Sequence, residues 1–274
     1  MNAALNASRH LPLDQLTPST FALGDLAVRL CEISRELEDG CGVYRLEGLP
    51  VALYPAEDLR TAFAGIGSHL GVLLDQNGAR GMLREIRDSS ATGGQRVDSA
   101  AALGWHNDRA DRVGLLCVQR AARGGLSKLA SAAAVHNEML RRCPDLLDTL
   151  FNDYQRFAPG DEVGKTSGLY SMPVFQMSGG RLSVHYSRTY IEQAANLPGS
   201  TPLTERQVAA LDALVECAEA LQFEMPLTPG DMQFLNNHVT LHGRTAFEDG
   251  SRDGQTRLLY RLWLSTTANG GWKA

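Results

Sequence analysis

Two histidines and one aspartate constrain this chain more than any other feature. His106 and Asp108 flank one residue in the run Gly104-Trp105-His106-Asn107-Asp108, whereas His242 lies far downstream. These three can serve one metal only if distant pieces of chain are brought together and held rigidly. On a β-strand, residues i and i+2 point to the same face, so His106 and Asp108 would share a side and Asn107 would point away. His242 is then expected from a strand facing them across the mouth of a barrel. Two imidazoles and one carboxylate on one face of a metal are the ligand set of non-haem Fe(II) sites, which leave positions open for further ligands. His238 competes for the third place, being four residues earlier and on the same strand face. Gly243, read as a turn that closes the strand at a barrel rim, favours His242.

The apolar spacing supplies the frame. Leu26, Val28, Leu30, Ile33 and Leu37 repeat at helical intervals up to Gly40, and Leu59, Phe63, Ile66 and Leu70 form a second helical stripe. A third helix is expected over 131–142. A fourth covers 204–221, where Thr204 and Gln207 can form a capping box. Strands are expected at 41–46, 83–87, 113–119, 232–235, 239–242 and 258–265, with a hairpin around Ser178-Gly179-Gly180. Short strands separated by Pro and Gly turns, with helices mainly in the N-terminal half, predict a mainly β protein with flanking helices. Its core is expected to be a jelly roll, the double-stranded β-helix of cupin-like proteins. One domain is expected over residues 1–274. Residues 1–22 read as a loose leader with a short extended piece, and the polar stretch 76–102 as an active-site lid directly before the first ligand.

Composition narrows the partners. Of 274 residues, 43% are hydrophobic and 21% charged, and the net charge is −5 with no Lys/Arg block. That balance disfavours nucleic acid and anionic membrane as partners and leaves a small molecule. No apolar run approaches the roughly 20 residues needed to span a bilayer. Met1–Pro12 lacks a basic region followed by an apolar stretch, so a cytoplasmic location is expected. The five cysteines are widely spaced and form no CxxC pair, and they read as reduced, mostly buried thiols. A homo-oligomer stays open.

Four segments together carry a resemblance: WHNDRAD (105–111), GGLS (124–127), PGDMQFLNNHVTLHGRTAF (229–247) and RLLYRLWLS (257–265). In order and spacing they resemble the taurine dioxygenase-like family of Fe(II)/2-oxoglutarate oxygenases, which includes clavaminate synthase-like enzymes. The resemblance covers residues 100 to 265, with a weaker match before them. It implies a dioxygenase that holds Fe(II) with His106, Asp108 and His242 and uses 2-oxoglutarate and O2 as co-substrates, releasing succinate and CO2. The far carboxylate of 2-oxoglutarate falls to Arg257, and a buried dianion does need a charge-assisted, preferably bidentate partner. Ser127 takes the hydroxyl position of that pocket, where family members commonly carry Thr. Arg261, four residues after Arg257, matches a position that often meets an anionic group of the substrate, though an ion pair with an acidic neighbour is open equally. Because the carboxylate ligand is present, hydroxylation rather than halogenation is the default outcome. Desaturation, epimerisation and cyclisation would use the same ligands, and a non-catalytic jelly-roll binding protein is the rival of another class. Further substrate contacts are expected from Asn77 in the lid, Trp105 beside a ligand, and Tyr186 and Arg188 after the strand ending VHYSR. A small amine- or carboxylate-bearing metabolite, such as an amino acid derivative, suits this set.

Overall fold

The computed structural model describes residues 1–76, 81–89, 98–158, 168–251 and 256–267. Two antiparallel sheets carry the design. The larger contains β1 (Val43–Leu46), β2 (Val72–Leu74), β3 (Leu83–Ile86), β5 (Arg112–Gln119), β13 (Met232–Asn236) and β16 (Leu258–Ser265). Its order is β1-β13-β5-β16-β2, and β3 pairs with the other half of β16. The smaller contains β4 (Leu103–His106), β7 (Ser127–Ser131), β12 (Phe223–Met225) and β14 (Thr240–Arg244), in the order β12-β7-β14-β4. Three two-stranded ladders accompany them: β6 (Arg123–Gly124) with β15 (Phe247–Glu248), β8 (Asp153–Ala158) with β9 (Gly168–Pro173), and β10 (Phe175–Ser178) with β11 (Arg181–Val184).

Strand alternation sorts the side chains into layers. On β16, Tyr260, Leu262 and Leu264 turn outward into a cluster with Phe63, Ile66 and Leu30. These come from helices α2 (Asp25–Asp39) and α3 (Ala56–Ser68), which cover the larger sheet. Leu241 and Trp105 of the smaller sheet turn outward into a second cluster, under α4 (Ala132–Arg142), α5 (Pro144–Thr149), α6 (Arg188–Ala195) and α7 (Glu205–Ala220). Between the sheets, Val113, Leu235 and Trp263 meet Leu129 and Met225. The inner face is therefore apolar at one end. The candidate site occupies the rest of it.

The helices end where the sequence says they should. The α2 helix stops at Gly40, and α7 begins with the reciprocal Thr204–Gln207 capping box. The leader expectation is corrected: Asn2–Ser8 forms helix α1, and Leu5, Leu16 and Phe21 are buried in the core with α3. Apolar side chains this close to the start had a partner surface to cover, which periodicity over so short a stretch could not reveal. The thiol expectation holds in part. All five cysteines are unpaired, but only Cys117 and Cys217 are buried, while Cys31 and Cys41 are exposed. Of the stretch 76–102, β3 joins the larger sheet, whereas 77–80 and 90–97 lie outside the described residues. Among the described residues, no helix is long and apolar enough to cross a membrane.

Phe234 anchors the helix-covered face: it is fully buried, packs 6.0 Å from the Phe63 ring, and sits over Gly114, where a Cβ would come within 2.7 Å of it. Phe234→Ala is expected to cost about 3–5 kcal/mol of stability. Urea unfolding of the two proteins side by side measures this directly.

Candidate active site

The pairing of β14 with β4 sets the geometry. His242 stands directly opposite His106 in the register, and their ring centroids are 4.3 Å apart. The two ligand candidates are thus neighbours on one sheet, which corrects the expectation of a partner from across a barrel mouth. The ladder shifts register between His242 and Arg244, a bulge that re-aims the flanking side chains. Gly243 lies inside the strand at this shift rather than in a closing turn. A Cβ there would come within 2.8 Å of the Leu103 carbonyl oxygen.

Asp108 follows the end of β4 on a loop pinned from two sides. Asn107 turns away from the two histidines, as alternation predicted. Its Nδ2 donates to the carbonyls of Asn237 (2.7 Å) and Thr240 (3.0 Å), and its Oδ1 accepts from the Tyr186 amide (2.9 Å). Asn237, from the β13–β14 connection, donates to the carbonyl oxygens of Asp108 and Ala110 and accepts from the Asp108 amide. His238 is engaged elsewhere: its Nε2 lies 2.9 Å from Asp111 Oδ1. One atom each from His106, Asp108 and His242 lies within 4.8 Å of the others, the one such His/Cys/Asp/Glu group among the described residues.

The donor set fits a divalent metal. His106 Nδ1 can only donate to the Gly104 carbonyl at 2.9 Å, so its Nε2 keeps the lone pair a metal requires. That Nε2 lies 4.0 Å from Asp108 Oδ1, and His242 Nε2 lies 3.7 Å from Asp108 Oδ2. Burial, aided by the charge of His242, lowers the His106 pKa to about 4, so the imidazole is neutral at physiological pH. Burial alone would raise the Asp108 carboxyl, but Arg261 and the two imidazoles outweigh it and hold the group well below the usual range. A neutral imidazole beside a permanent carboxylate is a ligand pair ready for a cation.

A small cavity, part of it open to solvent, lies beside the three ligand candidates and is bounded by both sheets. Arg257 lines it. The guanidinium is buried 5.0 Å over the Phe247 ring, its Nη1 has no hydrogen-bond partner among the described residues, and burial together with nearby Arg244 lowers its pKa to about 10. A buried cation with an unmatched N–H is costly unless an anion completes it. Gly125 (φ +71°) makes room for it, since a Cβ there would sit 3.1 Å from Arg257 Nε. Ser127 also lines the cavity, and its hydroxyl donates to Gln233 Oε1 at 2.7 Å.

Arg261 lines the cavity as well, but its guanidinium is committed. Nη1 lies 3.3 Å from each Asp108 oxygen, and Nε donates to Gln76 Oε1 at 2.8 Å. Of the two roles left open by the sequence, the ion pair is the one it makes. Three expected substrate contacts are corrected. Trp105 faces the outer layer, where its Nε1 donates to Glu219 Oε1 and Lys128 lies over its ring. It neighbours His106 in sequence and so takes the opposite sheet face. Tyr186 buries its ring in the same outer cluster. Arg188 opens helix α6 and pairs with Glu192 and Asp212. Asn77 lies outside the described residues. Sequence reasoning missed Gln233, Arg244, Asn237 and Trp263. Gln233 and Trp263 could have been found by alternation, because each lies two residues from an inward-facing position on its strand.

These features form a candidate site for one metal ion beside a cavity that holds a buried cation. The chain matches the model of the taurine catabolism dioxygenase TauD, TfdA family over residues 9–263 and belongs to that family. FR-33289 synthase of Streptomyces rubellomurinus (strain ATCC 31215) is 33% identical over 249 residues, which span 84% of this chain and 70% of that protein. Among solved structures, asparagine oxygenase in complex with Fe(II), 2S,3S-3-hydroxyasparagine and succinate aligns with a TM-score of 0.65 at 20% identity, over 91% of this chain and 84% of that one. The non-heme iron oxygenase OrfP in complex with Fe, succinate and (3S)-hydroxy-L-Arg aligns with a TM-score of 0.68 at 16% identity, over 94% and 86%. The protein is accordingly an Fe(II)- and 2-oxoglutarate-dependent dioxygenase, with O2 as its second co-substrate.

Removing the Asn237 clamp should loosen the Asp108 loop. Asn237→Ala is expected to lower stability by about 1–3 kcal/mol, because buried backbone groups lose their partners. Denaturant melts of the metal-free protein provide the measurement.

Proposed function

We propose that this dioxygenase hydroxylates an unactivated C–H bond of a small amino-acid-type metabolite. His106, Asp108 and His242 hold the Fe(II), and Arg257 receives the far carboxylate of 2-oxoglutarate. The single observation that carries the assignment is the buried, unmatched Arg257 guanidinium in the cavity beside the two imidazoles and the carboxylate. The substrate class is supported by the relatives, one crystallised with hydroxyasparagine and another with hydroxyarginine. We read the two antiparallel sheets as a double-stranded β-helix and residues 1–274 as one catalytic domain.

Bound Fe(II), with 2-oxoglutarate and O2, supplies an oxidant strong enough to attack an unactivated C–H bond, with succinate and CO2 as the by-products. The chain's own residues do the rest. Arg257 offsets the charge of the dianion and, with its guanidinium plane, orients it. Ser127 fixes the Gln233 amide at the same cavity wall. Leu115, Leu259 and Ile86 give that cavity apolar walls, which keep water away from the reacting centre. Arg261 stays beside Asp108 and compensates its charge while the site is being loaded.

Anaerobic addition of Fe(II) and 2-oxoglutarate should give the weak visible charge-transfer band of the chelate, and His106→Ala should abolish it. Succinate release with a panel of amino acids then identifies the substrate; a folded, iron-binding protein without the band would overturn the reading. Arg257→Ala is expected to raise the KM for 2-oxoglutarate by about 100-fold or more, the loss of a buried charge-assisted contact of about 3 kcal/mol. Gly125→Ala should raise the same KM severalfold by displacing Arg257, with Fe(II) affinity unchanged.

A further inference from the structure

Trp263 lies in the 257–265 segment but has no role assigned to it there, yet it touches the candidate metal ligand. It follows Arg261 by two on β16 and therefore shares its inward face. Its Nε1 donates to Asp108 Oδ2 at 3.0 Å, and the residue is only 7% exposed. The Arg261 guanidinium lies over the same indole, 4.6 Å from the ring. Gln76 completes the arrangement: it accepts from Arg261 Nε and donates to the Arg261 carbonyl at 2.9 Å.

The contacts made by the two residues differ in kind. Arg261 Nη1 is 3.3 Å from both oxygens of Asp108, so it supplies charge but does not choose between them. The indole N–H is rigid, has one direction, and engages Oδ2 alone. An N–H donated to an ionised carboxylate is a strong hydrogen bond in a buried setting. Among the described residues, Oδ1 accepts only the long Arg261 contact; it lies 4.0 Å from His106 Nε2, and Oδ2 lies 3.7 Å from His242 Nε2.

We propose that Trp263 is a positioning residue of the metal centre: its indole N–H holds Oδ2, so that Asp108 presents Oδ1 to the metal as a one-oxygen ligand. The ring also keeps Arg261 in place beside the carboxylate. This rests on reading His106, Asp108 and His242 as the metal ligands. A one-oxygen carboxylate conserves a coordination position that two-oxygen binding would occupy, and a site that must accept two co-substrates needs that position. The competing explanation is that Trp263 merely fills the apolar end of the inner layer with Val113, Leu129 and Leu235.

Co(II) is the probe, added alone to the full-length metal-free protein, with affinity and d–d absorption as readouts. Trp263→Phe removes the N–H and keeps an aromatic ring. Site-specific replacement at position 263 by benzothienylalanine removes the N–H and keeps the bicyclic shape. Both variants are expected to bind Co(II) at least about tenfold more weakly, the range for loss of a partner that orients a ligand. The d–d spectrum should change, and the isosteric variant should stay folded, with a melting temperature lowered by no more than the loss of one buried hydrogen bond. Wild-type affinity and spectrum in the isosteric variant would overturn the proposal, even if Trp263→Phe were weak or unfolded, because packing alone would then explain the residue. Failure of the wild-type protein itself to bind Co(II) would overturn the metal centre, and this role with it.

Discussion

Everything at the candidate site hangs on the antiparallel pairing of β4 with β14. That ladder sets His242 opposite His106, and the loop leaving β4 then carries Asp108 to within 4 Å of both imidazoles. The loop has no ladder of its own, so its backbone groups must find other partners in a buried place. Asn237 provides them through both ends of its amide, and the Asn107 side chain ties the loop to the backbone of Asn237, Thr240 and Tyr186. Short side chains with two donors and one acceptor are suited to this work, because they cost little entropy to immobilise and satisfy several main-chain groups at once. Precision of the ligand set is thus built from hydrogen bonds around it rather than from contacts within it.

Charge is distributed along one strand face. Leu259, Arg261 and Trp263 point inward from β16, and Arg257 precedes them at the same spacing. The two arginines have opposite fates. Arg261 finds a carboxylate inside the protein, while the Nη1 of Arg257 finds no acceptor. Two guanidiniums, Arg244 and Arg257, stack on Phe247, and Arg244 also donates to the carbonyls of Ser99 and Ala101. The pocket is therefore tied mechanically to the segment that leads into β4.

Much of this was legible in the sequence. The heptad-like spacing of Leu30, Ile33 and Leu37 marked α2, Thr204 and Gln207 marked the start of α7, and alternation marked Asn107 as the residue that turns away. The ligand candidates came from residue type and spacing, and Arg257 from the family resemblance. The failures have separate causes, and the first is that a side chain beside a ligand in sequence lies on the opposite face of a strand. Trp105 was assigned to the site when its neighbour His106 held that side. Tyr186 lies beyond the end of β11, where alternation no longer applies. The strands β8 and β9 escaped notice because their polar, Gly- and Arg-containing sequence lacks a clear apolar period. Trp263 was visible as an inward residue, yet an indole inside a sheet is read first as packing.

The position of Arg257 has a thermodynamic side. Keeping a charged group away from water with an N–H unmatched opposes folding by several kcal/mol before any compensation. Evolution toward the most stable sequence would replace it with an aliphatic residue like Leu259 beside it. If Arg257 receives an anion as proposed, the fold is held short of its own stability optimum in favour of a ligand that spends only part of the time there. The same deficit should make the melting temperature a reporter of occupancy, rising with any dicarboxylate that reaches the guanidinium. In a crowded metabolite pool, the stability of this protein would then track the total occupancy of that guanidinium by dicarboxylates, co-substrate and product alike.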